Sequence, residues 1–418
     1  MASTRRFQNP YPDYSGSLVP SCTREALLPV VAELVDRVVS HTSGAGGRGS
    51  GGGVYVGPAG AAYMLVRALD AGLEAPRDVS YLETAWRLGE AGLRGVERDP
   101  ESRASFLLGG AGVYVVLAMV SLRMGQRERA LEFASQYAAL YEVCVQPRFL
   151  PCGSDELFVG RAGFLHGADY LSRELGVPVL TRDQIACLCS VMVTSGEEYA
   201  RSTHSASPLM YAYYGTEYLG AAHGLCAVLL ALLCHVEVLD GRQAALVWGA
   251  VDFLLQLQGP EGAAPGADNW APRHGGGAGR GWTPRNWCTG ATGRLEWPTC
   301  LCERLRLRES HASCVRASAR GSWCGARGCS RRVPACATAW PATPTSSCCC
   351  TASPGSRNTS TAHRGFAEFL WTPEFASGGA HPGRAAQPVR GAGWHRLLPA
   401  RPAQTRPAHT SPLFDALL

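Results

Sequence analysis

A glycine-containing turn recurs five times along this chain of 418 residues and constrains its fold more than any other feature. Four copies have the form Gly-x-x-Gly and one ends in alanine; the first glycines are Gly57, Gly109, Gly160, Gly224 and Gly290. Successive copies lie 52, 51, 64 and 66 residues apart, and each opens an apolar run. A period of this length indicates a repeated supersecondary unit that buries its apolar face only against its neighbours.

Two kinds of helical stretch alternate between the turns. Strongly apolar stretches are predicted as helices at 54–70, 104–124, 157–175 and 218–238, and more polar ones at 24–40, 80–97, 126–145 and 181–200. Helices that are apolar all round are buried, whereas amphipathic helices face water on one side. We therefore expect an all-α fold of helical hairpins in two concentric layers, an α/α toroid, rather than an ordinary helical bundle.

Two further segments are predicted from their composition. Pro29 is expected to kink the first helix. The Gly/Pro-rich stretch 258–286 is predicted to be a long loop.

Composition excludes several classes of protein. The net charge of +5 divides into +10 for residues 288–418 and −5 for residues 1–287, so the basic excess lies in an unpatterned tail and nucleic acid is not expected as a partner. No signal peptide and no apolar run of eighteen residues is recognisable. We expect a soluble cytoplasmic protein with reduced thiols, so its 17 cysteines are not interpreted as a disulfide framework.

Three long motifs resemble the LanC-like (lanthionine synthetase C-like) proteins. They are Phe106-Leu-Leu-Gly-Gly-Ala-Gly-Val-Tyr, Cys152-Gly-Ser-Asp-Glu-Leu-Phe-Val-Gly-Arg-Ala-Gly and Pro208-Leu-Met-Tyr-Ala-Tyr-Tyr-Gly-Thr-Glu-Tyr-Leu-Gly-Ala-Ala-His-Gly-Leu. The resemblance is nearly continuous over 1–288, and it returns at 366–375 and at the end of the chain, 411–418. It implies a toroid of seven hairpins, of which 1–288 supplies the first four and the start of the fifth.

The resemblance implies a catalytic zinc, but the sequence departs from the family's ligand pattern. Family members use a Cys in a W-C-H-G turn and a Cys-His pair in a later C-H-G turn. Trp287-Cys288 matches the first turn, which makes Cys288 the candidate zinc ligand, but Thr289 replaces the His and no C-H-G tripeptide occurs. Because one ligand of three remains, we expect this sequence to hold no zinc, so that stoichiometric zinc in the purified chain would contradict the expectation.

Residues 289–418 carry an irregular segment that suggests a change of reading frame. Back-translation of 333–355 with permitted codons, read one frame over, allows Gly-Met-Cys-His-Gly-Val-Ala-Gly followed by an apolar helix, and 393–407 allows another such helix. Our hypothesis is that 289–365 and about 380–410 are out-of-frame translation. Restored turns near 339 and 391 would extend the repeat to seven copies.

The resemblance also assigns roles to individual residues. His223 lies in the turn where the family's cyclases carry a proton-transfer His, a role that suits imidazole, although a hydrogen-bonded core His is the simpler reading of the residue alone. Asp155 and Glu156 precede the third turn, where family members place an acidic catalytic residue; capping of a helix by Asp155 is the alternative. Arg161 is expected either to pair with Asp155 or to hold a ligand carboxylate. Three tyrosines are predicted to line the cavity or to pack around the inner helices: Tyr213, Tyr214 and Tyr218.

Three functions follow, in descending order. The first is a zinc-dependent enzyme that adds glutathione to dehydroalanine or dehydrobutyrine in peptides or proteins and forms a thioether, inactive in this sequence because the C-H-G turn is missing. The second is a non-catalytic glutathione- or protein-binding member associated peripherally with the plasma membrane. The third is a glycosidase-like toroid, ranked lowest because glycosidases oppose two carboxylates across a site and Asp155 and Glu156 are sequence neighbours.

Sequencing of the transcript between the codons for Cys288 and Phe366 tests the reading-frame hypothesis. We expect an in-frame Cys-His codon pair within a glycine turn. A transcript that encodes the tail as it stands here would contradict the hypothesis.

Overall fold

A computed structural model of the chain describes residues 24–44, 52–73, 80–99 and 102–257. The chain divides into two compact units, and of the described residues 24–30 belong to one and 31–257 to the other. The described residues form α-helices joined by turns, with one short 3-10 turn at Val236–Val238. The helices are α1 (Arg24–Gly44), α2 (Pro58–Asp70), α3 (Tyr81–Glu97), α4 (Gly110–Arg123), α5 (Arg127–Ala139), α6 (Tyr141–Cys144), α7 (Arg161–Leu175), α8 (Arg182–Ser202), α9 (Leu225–Cys234) and α10 (Gly241–Gln256).

Four consecutive helical hairpins build the unit that contains residues 31–257. The pairs are α2–α3, α4–α5, α7–α8 and α9–α10, and their first members also pack on one another in chain order, α2 on α4, α4 on α7 and α7 on α9. The first members are the inner helices and the second members the outer ones. This arrangement is the repeated unit that the glycine spacing predicts.

Burial separates the two layers. Helix α4 is buried along nearly its whole length and α9 along nine of its ten residues, whereas α5 buries only four positions, Ala130, Phe133, Ala134 and Tyr137. The inner helices contact protein on all sides, and the outer helices keep one face in water, as their sequences predict.

Inner and outer helices begin in different ways. Outer helices carry side-chain caps: Thr181 and Gln184 form a reciprocal capping box at α8, and Asp240 and Gln243 form another at α10. The inner helices α2, α4, α7 and α9 begin after an extended glycine that has no side chain to donate or accept. At α7 the first N–H groups donate instead to backbone carbonyls seven residues earlier, Arg161 to Ser154 and Ala162 to Asp155, and at α9 Leu225 donates to Tyr218 in the same way.

The second glycine of each turn allows this backbone contact. A Cβ atom on Gly60, Gly112 or Gly163 would lie 2.0–2.1 Å from the carbonyl oxygen six residues earlier. Because that atom is backbone, it cannot rotate away, so the preceding segment approaches the helix only if this position is glycine.

Backbone hydrogen bonds also join successive turns. The Tyr55 N–H donates to the Leu107 carbonyl at 2.8 Å, and the Leu107 N–H donates to the Phe158 carbonyl at 2.9 Å. Each of these residues lies two positions before the first glycine of its turn. The repeats are therefore connected at the N-terminal ends of the inner helices.

An ion cluster connects the opposite ends of three inner helices. Arg123 of α4 donates to both carboxylate oxygens of Asp70 on α2, at 3.2 and 2.8 Å, and pairs with Glu174 on α7. A bidentate guanidinium–carboxylate pair of this kind restricts geometry more than a single ion pair does.

The helix boundaries differ systematically from the predicted ones. Each inner helix begins four to seven residues later than predicted, because the apolar residues before the turn form the extended segment that the glycines accommodate. Helix α10 was not predicted, and α1 continues through Pro29. The predicted loop at 258–286 lies outside the described residues.

Replacement of Gly163 by alanine tests the close approach. The new Cβ would meet the Leu157 carbonyl oxygen at 2.0 Å, so we expect the free energy of unfolding to fall by about 1–3 kcal/mol, measured by urea denaturation. Gly241→Ala is the matched control: nothing lies within 4 Å of its Cβ position, so stability should stay unchanged or rise slightly. Equal effects of the two substitutions would contradict the argument.

Candidate functional site

A histidine–glutamate pair lies at the N-terminal ends of the inner helices α7 and α9. His223 immediately precedes the capping glycine of α9, and its Nδ1 lies 2.7 Å from Oε2 of Glu156. Glu156 is buried, whereas the His223 side chain is 30% exposed. An ionised carboxylate can only accept, so the Nδ1–H donates to Glu156 and the lone pair of the neutral ring lies on Nε2.

Glu156 is itself held in place by backbone. Its second oxygen, Oε1, accepts a hydrogen bond from the Val159 N–H. With both oxygens engaged, the carboxylate orients the imidazole and fixes its tautomer.

Aromatic rings surround the imidazole. Tyr213 stacks on His223 with a centroid distance of 4.7 Å and an interplanar angle of 9°. Phe158 and Tyr218 pack against the same ring at 4.6 and 6.0 Å, and Tyr55 packs edge-on against Phe158 at 4.8 Å. The ionisable nitrogen therefore lies within an aromatic wall that restricts how the imidazole can move.

The Tyr213 ring is positioned by a tight turn, residues 213–216. Tyr213 and Thr216 exchange both backbone hydrogen bonds, at 3.0 and 3.1 Å, and the two central residues have positive φ, 48° at Tyr214 and 69° at Gly215. This is the pattern of a type I′ turn. The Tyr214 N–H donates to the Cys152 carbonyl at 2.8 Å, which connects the turn to the segment before α7.

Asp155 belongs to a second, buried network. Its Oδ1 lies 2.5 Å from Nη1 of Arg161, and its Oδ2 accepts from the Ser195 hydroxyl of α8 at 2.7 Å. Helix α7 is capped by Gly160 without a side-chain bond, so Asp155 does not act as the helix cap. The adjacent carboxylates of Asp155 and Glu156 thus serve different partners.

Arg161 is the centre of that network and is completely buried. Its five N–H groups have five acceptors: Nε donates to the Cys144 carbonyl, Nη1 to Ser154 and Asp155, and Nη2 to the carbonyls of Gln146 and Pro147. Pairing with Asp155 is one of the two roles expected for Arg161. The other role, contact with a ligand carboxylate, stays a prediction.

Burial changes the acidity of several of these groups. It raises the pKa of the Asp155 carboxyl above its usual value, against the opposing effects of Arg161 and Ser195. Burial also raises the pKa of the Tyr213 hydroxyl, and the Glu156 charge adds to the effect. The pKa of the Cys152 thiol is likewise raised by burial, so this neighbouring thiol does not compete as a thiolate nucleophile at neutral pH.

The described residues do not form a metal site. Within 24–44, 52–73, 80–99 and 102–257, no group of three His, Cys, Asp or Glu side chains is arranged to hold a metal ion. The predicted zinc ligand Cys288 lies outside these residues. Since the fit of zinc cannot be supported by the side chains that the structure describes, no step is assigned to it.

Sequence reasoning named His223, Glu156, Asp155 and Arg161, and the structure brings them together in two adjoining networks. It missed Phe158 and Ser195. Phe158 had a detectable signal, because it occupies the repeated position two residues before a turn glycine. Ser195 had none, since one hydroxyl on an amphipathic helix is ordinary in a sequence.

Comparison with known proteins agrees with this geometry. A family model described as "Lanthionine synthetase C-like protein" matches residues 50–312. A zebrafish (Danio rerio) protein named glutathione S-transferase LANCL1 is 27% identical over 289 residues, 65% of this chain and 66% of the relative. An Arabidopsis thaliana LanC-like protein, GCL1, is 32% identical over 146 residues, 33% of each chain. The chain thus spans just under two thirds of the zebrafish relative and a third of the plant one.

The chain belongs to the lanthionine synthetase C-like family. The predicted resemblance is confirmed, and the helical hairpins are those of that family's α/α toroid. No helix in the described part of the chain has the length and apolarity needed to cross a membrane.

Substitution of Arg161 by lysine tests whether the buried network holds the site together. Lysine keeps the charge but cannot reproduce the planar five-donor fork. We expect the free energy of unfolding to fall by about 3–5 kcal/mol, as when a buried ion pair loses one partner, measured by urea denaturation. Arg201→Lys is the matched control, because Arg201 pairs with Glu197 at a side chain 70% exposed and should change stability by less than about 0.5 kcal/mol. A loss below 1 kcal/mol for R161K, by the same measurement, would contradict this role.

Proposed function

We propose that this chain belongs to the thiol-addition class of LanC-like proteins and that the described residues supply the proton-transfer half of the site. The substrates are glutathione and a dehydroalanine or dehydrobutyrine residue in a peptide or protein. The observation that carries the proposal is the 2.7 Å contact between buried Glu156 and partly exposed His223. The name of the zebrafish relative, a glutathione S-transferase, supports the choice of thiol.

The reaction needs proton transfer at two points. The thiol S–H bond breaks, sulfur bonds to the β-carbon, and the electron pair of the Cα=Cβ double bond moves into an enolate. A proton then joins the α-carbon, so the overall addition requires no oxidant or reductant. One acid–base group can take the first proton and return the second.

His223 suits that role through its environment. Its Nδ1–H is bound to Glu156, which leaves Nε2 to accept a proton, and the nearby carboxylate stabilises the imidazolium that forms. Tyr213 and Phe158 hold the ring plane and exclude water from its faces. Asp155 and Arg161 act indirectly, because they fix the backbone segment on which Glu156 lies.

Thiol activation is the half of the site that this sequence leaves incomplete. By resemblance, zinc would supply it through Cys288 and a later Cys-His pair, and the sequence contains no such pair in a C-H-G turn. We therefore expect the chain as it stands to bind no zinc and to turn over little. A frame-restored chain, in which 289–365 and about 380–410 are read in the alternative frame, should recover both properties.

A non-catalytic function is the second candidate, and the same departure favours it. Thr289 follows Cys288 where the family carries a His. A protein of this kind would bind glutathione or a protein partner in the cytoplasm or at the inner face of the plasma membrane without turnover. The glycosidase-like reading stays the lowest, because Asp155 and Glu156 engage separate partners instead of facing each other across one site.

His223→Asn in the frame-restored chain tests the catalytic role. The Asn amide can still donate to Glu156, but it cannot accept a proton, so thioether formation between glutathione and a dehydroalanine peptide should fall about 100-fold or more. Mass spectrometry of the adduct measures the rate. His204→Asn is the matched control, because His204 has φ 53°, a conformation that Asn tolerates, and forms no part of the site.

Glu156→Gln tests the tautomer independently of turnover. Gln can keep the bond from Val159 while its NH₂ group faces Nδ1, which moves the imidazole proton to Nε2. The ¹⁵N chemical shifts of His223 should report this change of tautomer. Full activity of H223N would exclude His223 as the acid–base residue, and glutathione binding without turnover in the frame-restored wild type would favour the non-catalytic candidate.

A further inference from the structure

The most exposed large hydrophobic side chain of the described residues lies beside the site. Tyr214 is 75% exposed, and its ring packs edge-on against Tyr213 at 4.8 Å. Tyr213 in turn stacks on His223. The exposed ring is therefore one aromatic neighbour removed from the imidazole.

The backbone at Tyr214 is in an unfavourable conformation for this residue type. Its φ of 48° is in the left-handed region, which bulky side chains rarely adopt. The first central position of a type I′ turn favours Asn, Asp or Gly. A tyrosine here weakens the turn, and strain of this kind is concentrated at functional positions.

The contacts inside the protein do not account for the ring. The backbone N–H of Tyr214 donates to the Cys152 carbonyl, a bond that any residue except proline would make. The Tyr214 hydroxyl lies against the Cys152 thiol, but this contact leaves most of the ring in water. The aromatic face is available to a ligand, and a tyrosine ring offers a large contact area at a small entropic cost.

We infer that Tyr214 is a specificity-determining residue that contacts the polypeptide flanking the reacting dehydroamino acid; the inference rests on the proposed function. The steps from His223 to Tyr213 and from Tyr213 to Tyr214, 4.7 and 4.8 Å, span about three residues of extended chain at roughly 3.3 Å each. A residue two or three positions from the reacting one would pack on the Tyr214 ring. The site therefore favours a dehydroamino acid within a peptide over a single capped residue.

The test compares two probes on the full chain without added thiol. One is a fluorescein-labelled nonapeptide with a central dehydroalanine, measured by fluorescence anisotropy, and the other is N-acetyl-dehydroalanine methylamide, which competes for the same site. Y214N should weaken peptide binding about tenfold, about 1.4 kcal/mol, and leave the capped residue unchanged. The urea midpoint of Y214N should not fall, because Asn suits the turn better than Tyr does.

Two variants separate the ring from other causes. Y214F keeps the ring and loses the contact of the hydroxyl with Cys152, so it should bind the peptide as the wild type does. H204N changes the other non-glycine residue with positive φ and should leave peptide affinity unchanged.

Wild-type peptide affinity in Y214N, or an equal loss for both probes, would overturn the inference. In the second case Tyr214 would act through Tyr213 and His223. Binding of neither probe by the wild type would contradict the proposed function as well.

Discussion

The inner layer of this protein depends on contact between backbone and backbone, and glycine is the residue that permits it. At Gly60, Gly112 and Gly163 a single added carbon would overlap a carbonyl oxygen six residues earlier. Because the chain can approach there, carbonyls of the preceding segment satisfy the first N–H groups of α7 and α9, where the outer helices use Thr181 or Asp240. The segments before the turns are then close enough to bond to one another, as Tyr55, Leu107 and Phe158 do.

The candidate site is a consequence of the same close packing. The segment before α7 is held by backbone bonds from Arg161 and Ala162, and its two acidic residues diverge into separate networks. Asp155 contacts the outer layer through Ser195, while Glu156 contacts His223 of the next repeat. The orientation of one imidazole therefore depends on the rigid connection between two consecutive hairpins and an outer helix.

Much of the fold was predictable, because the signals are local or periodic. Turn spacing and the alternation of apolar and amphipathic helices indicated the layers, and motif resemblance indicated His223 and its acidic partner. The helix starts were misplaced because apolar residues such as Leu157 and Phe158 have the same hydrophobicity in an extended segment as in a helix. Which of Asp155 and Glu156 pairs with His223 depends on backbone direction at the turn, and Ser195 depends on tertiary contact, so neither was readable from sequence.

The spacing of the turns has a consequence for how such a protein acquires specificity. The two shorter intervals, 52 and 51 residues, separate copies that carry little beyond a hairpin, whereas the 64-residue interval contains the 213–216 turn and Tyr218. The added residues lie between α8 and α9, where they extend over His223 without disturbing the bonded turns. In a repeat protein of this kind, irregularity in period length maps where chemistry has been inserted, and the constant part of the period maps what the scaffold cannot change.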